Sequence, residues 1–368
     1  MYAGKCILAP MVRIGTLPTR LVALEYGCDL VFTPETIAYK LSKCRRVTRP
    51  GGLIDYVHTK STTDGPNREE LVLRLHERER SKCILQLGAA DPETAYSAAL
   101  LVKGDVLGVD LNCGCPKRFS THAGMGAALL RDPDRLCSIL RKLGTVMPVS
   151  CKIRIFPELQ DTLSLVKRLS SETPIHSLTV HCRTAQMRYD TPANWNVLKE
   201  IRRVLRHEIS LVMNGDVLLD VSHGTKDMLL KSMKQEYMAD AVMIGRAAQT
   251  NLSVFSPDGK LLDLTQVHTK YLQTAWETRN HHANTKYVLI QSLAGIEPKT
   301  PEQKALIRLL YGSKSYKDLF AIYGIIFDDD NHLVYDDPYG ESGEQYEEGY
   351  TREQQDKRLE SQVNSILE

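Results

Sequence analysis

Residues 107–130 read LGVDLNCGCPKRFSTHAGMGAALL. The opening run, 107–111, has the apolar pattern of a buried strand, and the Ala/Leu-rich close reads as a helix. Between them lies a loop of small residues with Cys115 at its crown, flanked by Gly114 and Pro116, and Cys113 two residues earlier. A strand, a glycine-bearing loop and a helix start are where an α/β enzyme places its chemistry.

The same rhythm extends to both sides. Apolar runs at 6–9, 29–32, 83–87, 149–155, 177–182, 210–213 and 240–244 are each followed by a polar segment long enough for a helix. With 107–111 that makes eight strand–helix units, which predicts a parallel (β/α)8 TIM barrel. A doubly wound open sheet is the competing arrangement. The barrel is favoured by what stands at the run ends: Pro10-Met11, Glu35, Gln86, Asn112, Lys152 with Arg154, His181 with Arg183, Asn214-Gly215-Asp216 and Gly245-Arg246. A closed barrel gathers all eight ends on one face, so residues distant in sequence meet at one mouth.

Two stretches break the rhythm. Residues 39–80 are long for one connection and carry Lys40, Lys43, Arg45, Arg46 and Arg49; spacing around Leu71, Leu73 and Leu75 predicts a helix over 67–79. Past Thr250 the strands stop, Ser256-Pro257-Asp258-Gly259 marks a turn, and 264–323 reads as amphipathic helices. The division that follows is a barrel over 1–257, a smaller C-terminal helical domain over 258–327, and an acidic tail over 328–368 expected to be disordered.

Composition narrows the class. A chain of 368 residues, 42% hydrophobic, can bury one large core and a smaller one. No apolar run approaches the ~20 residues of a membrane span, and no signal or transit pattern opens the chain, so a soluble protein without membrane association is expected. All nine cysteines lie between Cys6 and Cys182, an odd count without framework spacing, which points to reduced intracellular thiols. No second closely spaced Cys or His pair accompanies Cys113 and Cys115, and no metal site is expected. Residues 328–368 hold 13 acidic and 3 basic side chains, leaving 44 basic against 32 acidic in the rest. A basic body suits a polyanionic partner.

The glycine-bearing ends of strands seven and eight, Asn214-Gly215-Asp216 and Gly245-Arg246, are where barrels commonly hold a phosphate. Lys152 shares its side of strand five with Arg154, and a lysine inside a barrel is costly without an anionic partner. A bound anionic ligand is one such partner; a structural ion pair or a Schiff-base lysine are the other readings. His181 at the end of strand six is, alone, an ordinary polar group. Cys115, with an ordinary thiol pKa of about 8.5, is protonated at neutral pH and able to act as a general acid.

Asn112, Gly114, Cys115 and Pro116, followed by Gly124-Met125-Gly126-Ala127, resemble the active-site signature of the tRNA-dihydrouridine synthases. The start LAPMVRIGTLPTRLVALEYGCDLVF at 8–32, with the loop version CPKRFSTHAGMGAALL, is most similar to the eukaryotic branch acting on uridine 20, in its fungal-like form without a double-stranded RNA-binding domain. The match runs from about Cys6 to Gly324. The resemblance implies FMN, with NADPH or NADH as reductant, and tRNA as partner. A flipped-out D-loop uridine would receive hydride from the flavin N5 at C6 and a proton from Cys115 at C5. It implies flavin contacts by Pro10, Met11, Val12, Glu35, Gln86, Lys152, His181, Asn214, Gly215, Asp216, Gly245 and Arg246. Uracil contacts fall to Asn112 and Arg183, with Tyr189 and Asn194 nearby. Lys40, Lys43, Arg45, Arg46, Lys117 and Arg118 at the rim, with Lys270, Arg279, Lys286, Arg308, Lys314 and Lys317 on the helices, are the candidate phosphate grips. A monomer acting in the cytoplasm, or also in the nucleus, is expected. Ala123 departs from the glycine common at its position. Three other readings stand beside this one: an aldolase-type barrel, a flavin barrel reducing a small enone or orotate-like substrate, and a non-catalytic tRNA-binding protein.

Overall fold

A computed structural model describes residues 1–60, 68–188, 190–217 and 224–325. Tyr189, the end of the helical segment at 326–327 and the acidic tail at 328–368 lie outside the described residues.

All eight expected strands form, and they close. The barrel strands, in order, are Cys6–Leu8, Leu30–Phe32, Cys83–Gly88, Gly108–Cys113, Val149–Arg154, Ile175–His181, Ser210–Asn214 and Ala241–Ile244. Each pairs in parallel with the next, the eighth pairs with the first, and the circle is complete without an edge strand. A short extension, Thr36–Ile37, continues strand two against Leu87 and Gly88 of strand three. Pro34 interrupts the ladder just before it because proline has no N–H to give, and Glu35 sits at that break.

Strand alternation sorts side chains to two cores. Outward residues such as Leu8, Leu85, Leu111, Ile153 and Val180 pack under the surrounding helices in one large apolar cluster. Inward residues of strands one, two, seven and eight, among them Ile7, Leu30, Phe32, Val212 and Met243, fill the barrel interior. Strands three to five put polar groups inside instead: Gln86, Asp110, Asn112, Ser150 and Lys152 sit at matching register.

The 39–80 stretch departs from expectation. After the short helix Ala38–Leu41 it forms a three-stranded antiparallel sheet, Arg45–Arg49, Leu53–Lys60 and Arg68–His76, rather than a loop carrying a helix over 67–79. Leu71, Leu73 and Leu75 recur every second residue, the strand period, and Leu73 and Leu75 are buried in the core. The sheet is fixed to the barrel by a buried ion pair: Arg20, from helix Leu17–Glu25, meets Glu79 through two hydrogen bonds of 2.7 Å, both side chains essentially unexposed.

Helices Leu264–Glu277, His282–Ala294, Pro301–Gly312 and Tyr316–Ile322 follow the barrel. Their buried faces join the same apolar cluster as the outer barrel wall. Asn284 donates 2.7 Å to the carbonyl of Arg13 and accepts from Thr16, while the Arg13 guanidinium lies 3.9 Å over the Tyr287 ring. These contacts clamp the loop after strand one, which carries Pro10 to Val12. No helix among the described residues is long and apolar enough to cross a membrane.

Candidate active site

At the carboxyl ends of the strands a cavity of about 290 Å³ opens, walled by Pro10, Met11, Lys152, His181, Arg183, Asn214, Gly215, Asp216, Gly245 and Arg246 together with Ala9, Val217, Met243, Ala247 and Gln249. Ten residues singled out from the sequence therefore converge. Val12, Glu35, Gln86 and Asn112 stand outside that wall: Gln86 and Asn112 belong to the tier beside it, and Glu35 faces the Cys115 loop.

Charge in the wall is lopsided. Asp216 accepts from Arg183 at 2.5 Å, from Arg246, and from the backbone N–H of Ala193 at 2.8 Å. Arg183, expected at the substrate, is 2% exposed and also donates 2.6 Å to the carbonyl of Thr191. Lys152 has no ion pair or hydrogen bond among the described residues; burial, then neighbouring Arg154, pull its pKa down to about 8. His181 is held far below its ordinary range by burial and by Lys152, Arg154, Arg183 and Arg246, so the imidazole is neutral. Three cations and one carboxylate in the wall, with Arg154 behind it, make a site whose missing partner is an anion.

Backbone shape completes the phosphate end. Gly215 has φ +104°, and a Cβ there would meet the His181 ring at 3.0 Å and Ala193 at 3.1 Å. Its carbonyl accepts 2.7 Å from the indole N–H of Trp195. Asp216 follows at φ 58°, a left-handed turn that points its carboxylate at both arginines.

Cys115 stands on the same mouth. Asn112, in register with Lys152, accepts through Oδ1 from the backbone N–H groups of Gly114 at 3.0 Å and Cys115 at 3.1 Å. A Cβ on Gly114 would lie 3.4 Å from Cγ of Arg154. Below, a buried chain supports this turn. Asn112 donates to Oε1 of Gln86 at 3.4 Å, Gln86 donates to Asp110 at 2.8 Å, Ser150 donates to Asp110 at 2.7 Å, and Tyr2 donates to Ser150 at 3.1 Å. Asp110, Ser150 and Tyr2 were not singled out from the sequence; their signal is that Asp110 and Ser150 share strand parity with Asn112 and Lys152. Burial raises the Cys115 thiol above its ordinary value, with Glu35 adding to the rise, so it is protonated at neutral pH.

The rim differs from expectation in its free charge. Lys40 pairs with Glu70, Arg45 with Glu69, and Arg46 makes two hydrogen bonds to Asp105, while Lys43 lies 3.8 Å over the Tyr39 ring. Lys270 pairs with Glu25, and Lys286 donates to two backbone carbonyls. Lys117 and Arg118 beside Cys115, Arg308 and Lys317 on the last two helices, and Lys314 in the link between them, are exposed.

Comparison with known proteins agrees with this geometry. The family model described as "Dihydrouridine synthase (Dus)" matches residues 7–320. The chain is 42% identical over 335 residues to the tRNA-dihydrouridine(20) synthase [NAD(P)+] of Schizosaccharomyces pombe, covering 88% of this chain and 66% of that protein. It is 41% identical to the enzyme of the same name from Saccharomyces cerevisiae, over 80% of this chain and 78% of that one. A Schizosaccharomyces pombe tRNA-dihydrouridine(20a/20b) synthase [NAD(P)+] is 33% identical, over 57% of this chain and 58% of that one. With a family match spanning nearly the whole described chain, and the signature cysteine set on the mouth of a closed barrel, the chain belongs to the dihydrouridine synthase family.

Proposed function

We propose that this chain reduces a uridine of tRNA, at position 20, to dihydrouridine, with FMN as resident cofactor and NADPH or NADH as reductant. The activity for which the two relatives above 40% identity are named supports the reaction and the position. One observation in the structure carries the cofactor: Lys152, an unpaired amine in the wall of an apolar-sided cavity, where cations outnumber carboxylates. That donor set fits a flavin phosphate and pyrimidine edge. Arg246, Gly215 and Asn214 would hold the phosphate end, Lys152 and His181 the ring edge, and Pro10 and Met11 the ring face. Bound there, FMN supplies hydride-transfer chemistry.

The protein's own residues do the rest. Cys115, protonated at neutral pH, gives a proton to uracil C5. Asn112 fixes the loop that carries it. A base stacked within folded RNA cannot reach the mouth, so the uridine is extruded, a cost of a few kcal/mol met by contacts to the rest of the tRNA. Lys117 and Arg118 beside the loop, and the exposed cations of a helical domain over 258–327, supply those contacts. Family membership sets aside the aldolase reading of Lys152.

The test is direct. The protein is incubated with unmodified tRNA and NADPH, dihydrouridine is mapped by mass spectrometry, and Cys115→Ala is run beside it. Dihydrouridine at position 20 with at least a hundredfold loss in the variant is expected. Product at another nucleotide refutes the position; a colourless protein that still reduces tRNA refutes the flavin.

A further inference from the structure

Behind Cys115 lies a buried carboxyl group that no step above uses. Glu35 sits at the break in strand two, and its Oε1 is buried without a hydrogen-bond partner. The carboxylate is pressed over Gly88 so closely that a Cβ there would come within 2.6 Å of Oε1. Cys115, Asn112, Lys117 and Ser120 are the groups near enough to act on it.

Ser120 is fully buried, and its hydroxyl also lacks a partner. Gly126, at φ +59°, folds the loop back so that a Cβ on it would meet Ser120 Oγ at 2.4 Å, the Cys115 carbonyl at 2.6 Å and Cys115 Cβ at 3.1 Å. The Ala127 N–H donates 2.9 Å to that carbonyl. Glu35 and Ser120 thus bring two buried polar atoms, neither holding a formed hydrogen bond, within reach of each other and of the Cys115 thiol, a hydrogen-bond chain left open around it. A native fold leaves few such groups without a use.

We propose that Glu35, with Ser120 beside it, is the proton reservoir that recharges Cys115 after each turnover. The inference rests on the uridine-reducing function above. When the Cys115 S–H bond breaks and its proton forms the new C5–H bond, a thiolate remains. The Glu35 O–H bond then breaks, its proton forms S–H, and the carboxylate left behind takes a proton from water once the product has gone. No external oxidant or reductant enters.

The electrostatics agree. Burial lifts Glu35 to about 7, with Cys115, Asn112, Lys117 and Ser120 pulling the other way, so an appreciable fraction carries the proton at neutral pH. A thiolate beside an ionised Glu35 would place two anions in one buried pocket, which disfavours turnover once Glu35 has lost its proton. Lys117, Lys152 and Arg154 are the cations that reach Cys115.

The experiment compares wild type, Glu35→Gln and Ser120→Ala, each loaded with flavin. Steady-state turnover on tRNA is followed from pH 6.5 to 9, alongside the first turnover of pre-reduced enzyme. Wild-type turnover is expected to fall about tenfold per unit above pH 7. In Glu35→Gln, turnover drops roughly 10- to 100-fold, that slope disappears, and the first turnover falls far less. Ser120→Ala gives a smaller drop with the slope retained. Equal loss in both phases with an unchanged pH profile overturns the relay. Alkylation of Cys115 by iodoacetamide, read on its peptide, gives an answer independent of tRNA. Its pH profile should move down by about one unit in Glu35→Gln, and an unmoved profile also overturns the proposal. An alkylation shift between wild type and Glu35→Gln, with wild type leaving tRNA unreduced, refutes the function while the Glu35–Cys115 coupling stands.

Discussion

Lys152 offers the sharpest quantitative test of the flavin reading, because an anion arriving beside it must change its protonation. Its pKa is held at about 8 against an ordinary 10.5, by burial first and by Arg154 second, with Asp110 pulling back. The anionic edge of a reduced flavin in the cavity would restore the missing partner and lift the pKa toward its ordinary value. The bound-state pKa is the higher one, so the added affinity is complete below pH 8 and is lost as pH rises toward 10.5. At pH 9 the free protein carries about 0.1 proton on this amine and the complex nearly one, so binding takes up roughly 0.9 proton. At pH 7 the same arithmetic gives only about 0.1, and affinity should weaken about tenfold per unit above pH 8. Titrating reduced FMN into flavin-free protein by anaerobic calorimetry, in buffers of different ionisation heat at pH 9, reads the uptake directly. Lys152→Met keeps the length of the stem and removes the proton. Uptake that persists in that variant, or that is absent from wild type, refutes the assignment of the amine to the cofactor.

Other predictions follow from buried partners. Glu79→Ala strands the Arg20 guanidinium, 1% exposed, and should cost about 3–5 kcal/mol in urea unfolding, although neither residue touches the site. Asp110→Ala removes the acceptor of both Gln86 and Ser150, about 1–3 kcal/mol for each group left unpaired, and should lower Cys115-dependent product formation by loosening the Asn112 turn. Gly126→Ala forces a Cβ to within 2.6 Å of the Cys115 carbonyl at a left-handed φ. Product formation should drop at least about a hundredfold with flavin content near wild type, since the displaced loop lies outside the cavity wall; equal loss of flavin would contradict that placement.

The barrel was legible because each strand kept its apolar outward face, and because the exceptions clustered at strand ends that only a closed barrel brings together. Lys152, His181 and Gly245-Arg246 met for that reason. The 39–80 excursion was misread where Leu71, Leu73 and Leu75 were given a helical period although they alternate; pairing with Leu53–Lys60 decides the matter, and that partner is a long-range fact. The rim cations were overcounted for a related reason. Arg46 looks free in sequence, yet Asp105, 59 residues away, holds it with two hydrogen bonds. Ser120 was invisible because its place beside Cys115 depends on one positive φ at Gly126.

The division of the barrel interior explains why chemistry sits where it does. Strands one, two, seven and eight fill their half with apolar side chains, which leaves a dry wall needing no partners. Strands three to six fill the other half with polar groups, which are costly in a core unless they are satisfied. Tyr2, Ser150, Asp110, Gln86 and Asn112 satisfy one another in sequence, and the chain ends on the backbone N–H of Cys115. The position of the thiol is thus set by the same hydrogen bonds that make a polar half-core affordable. Lys152 is the cation of that half that has no partner among the described residues, and it faces the cavity. A substitution at the floor of the barrel, far from any substrate atom, should therefore register at the loop before it registers at the cofactor's phosphate end, where Asp216, Arg183 and Arg246 form a separate cluster.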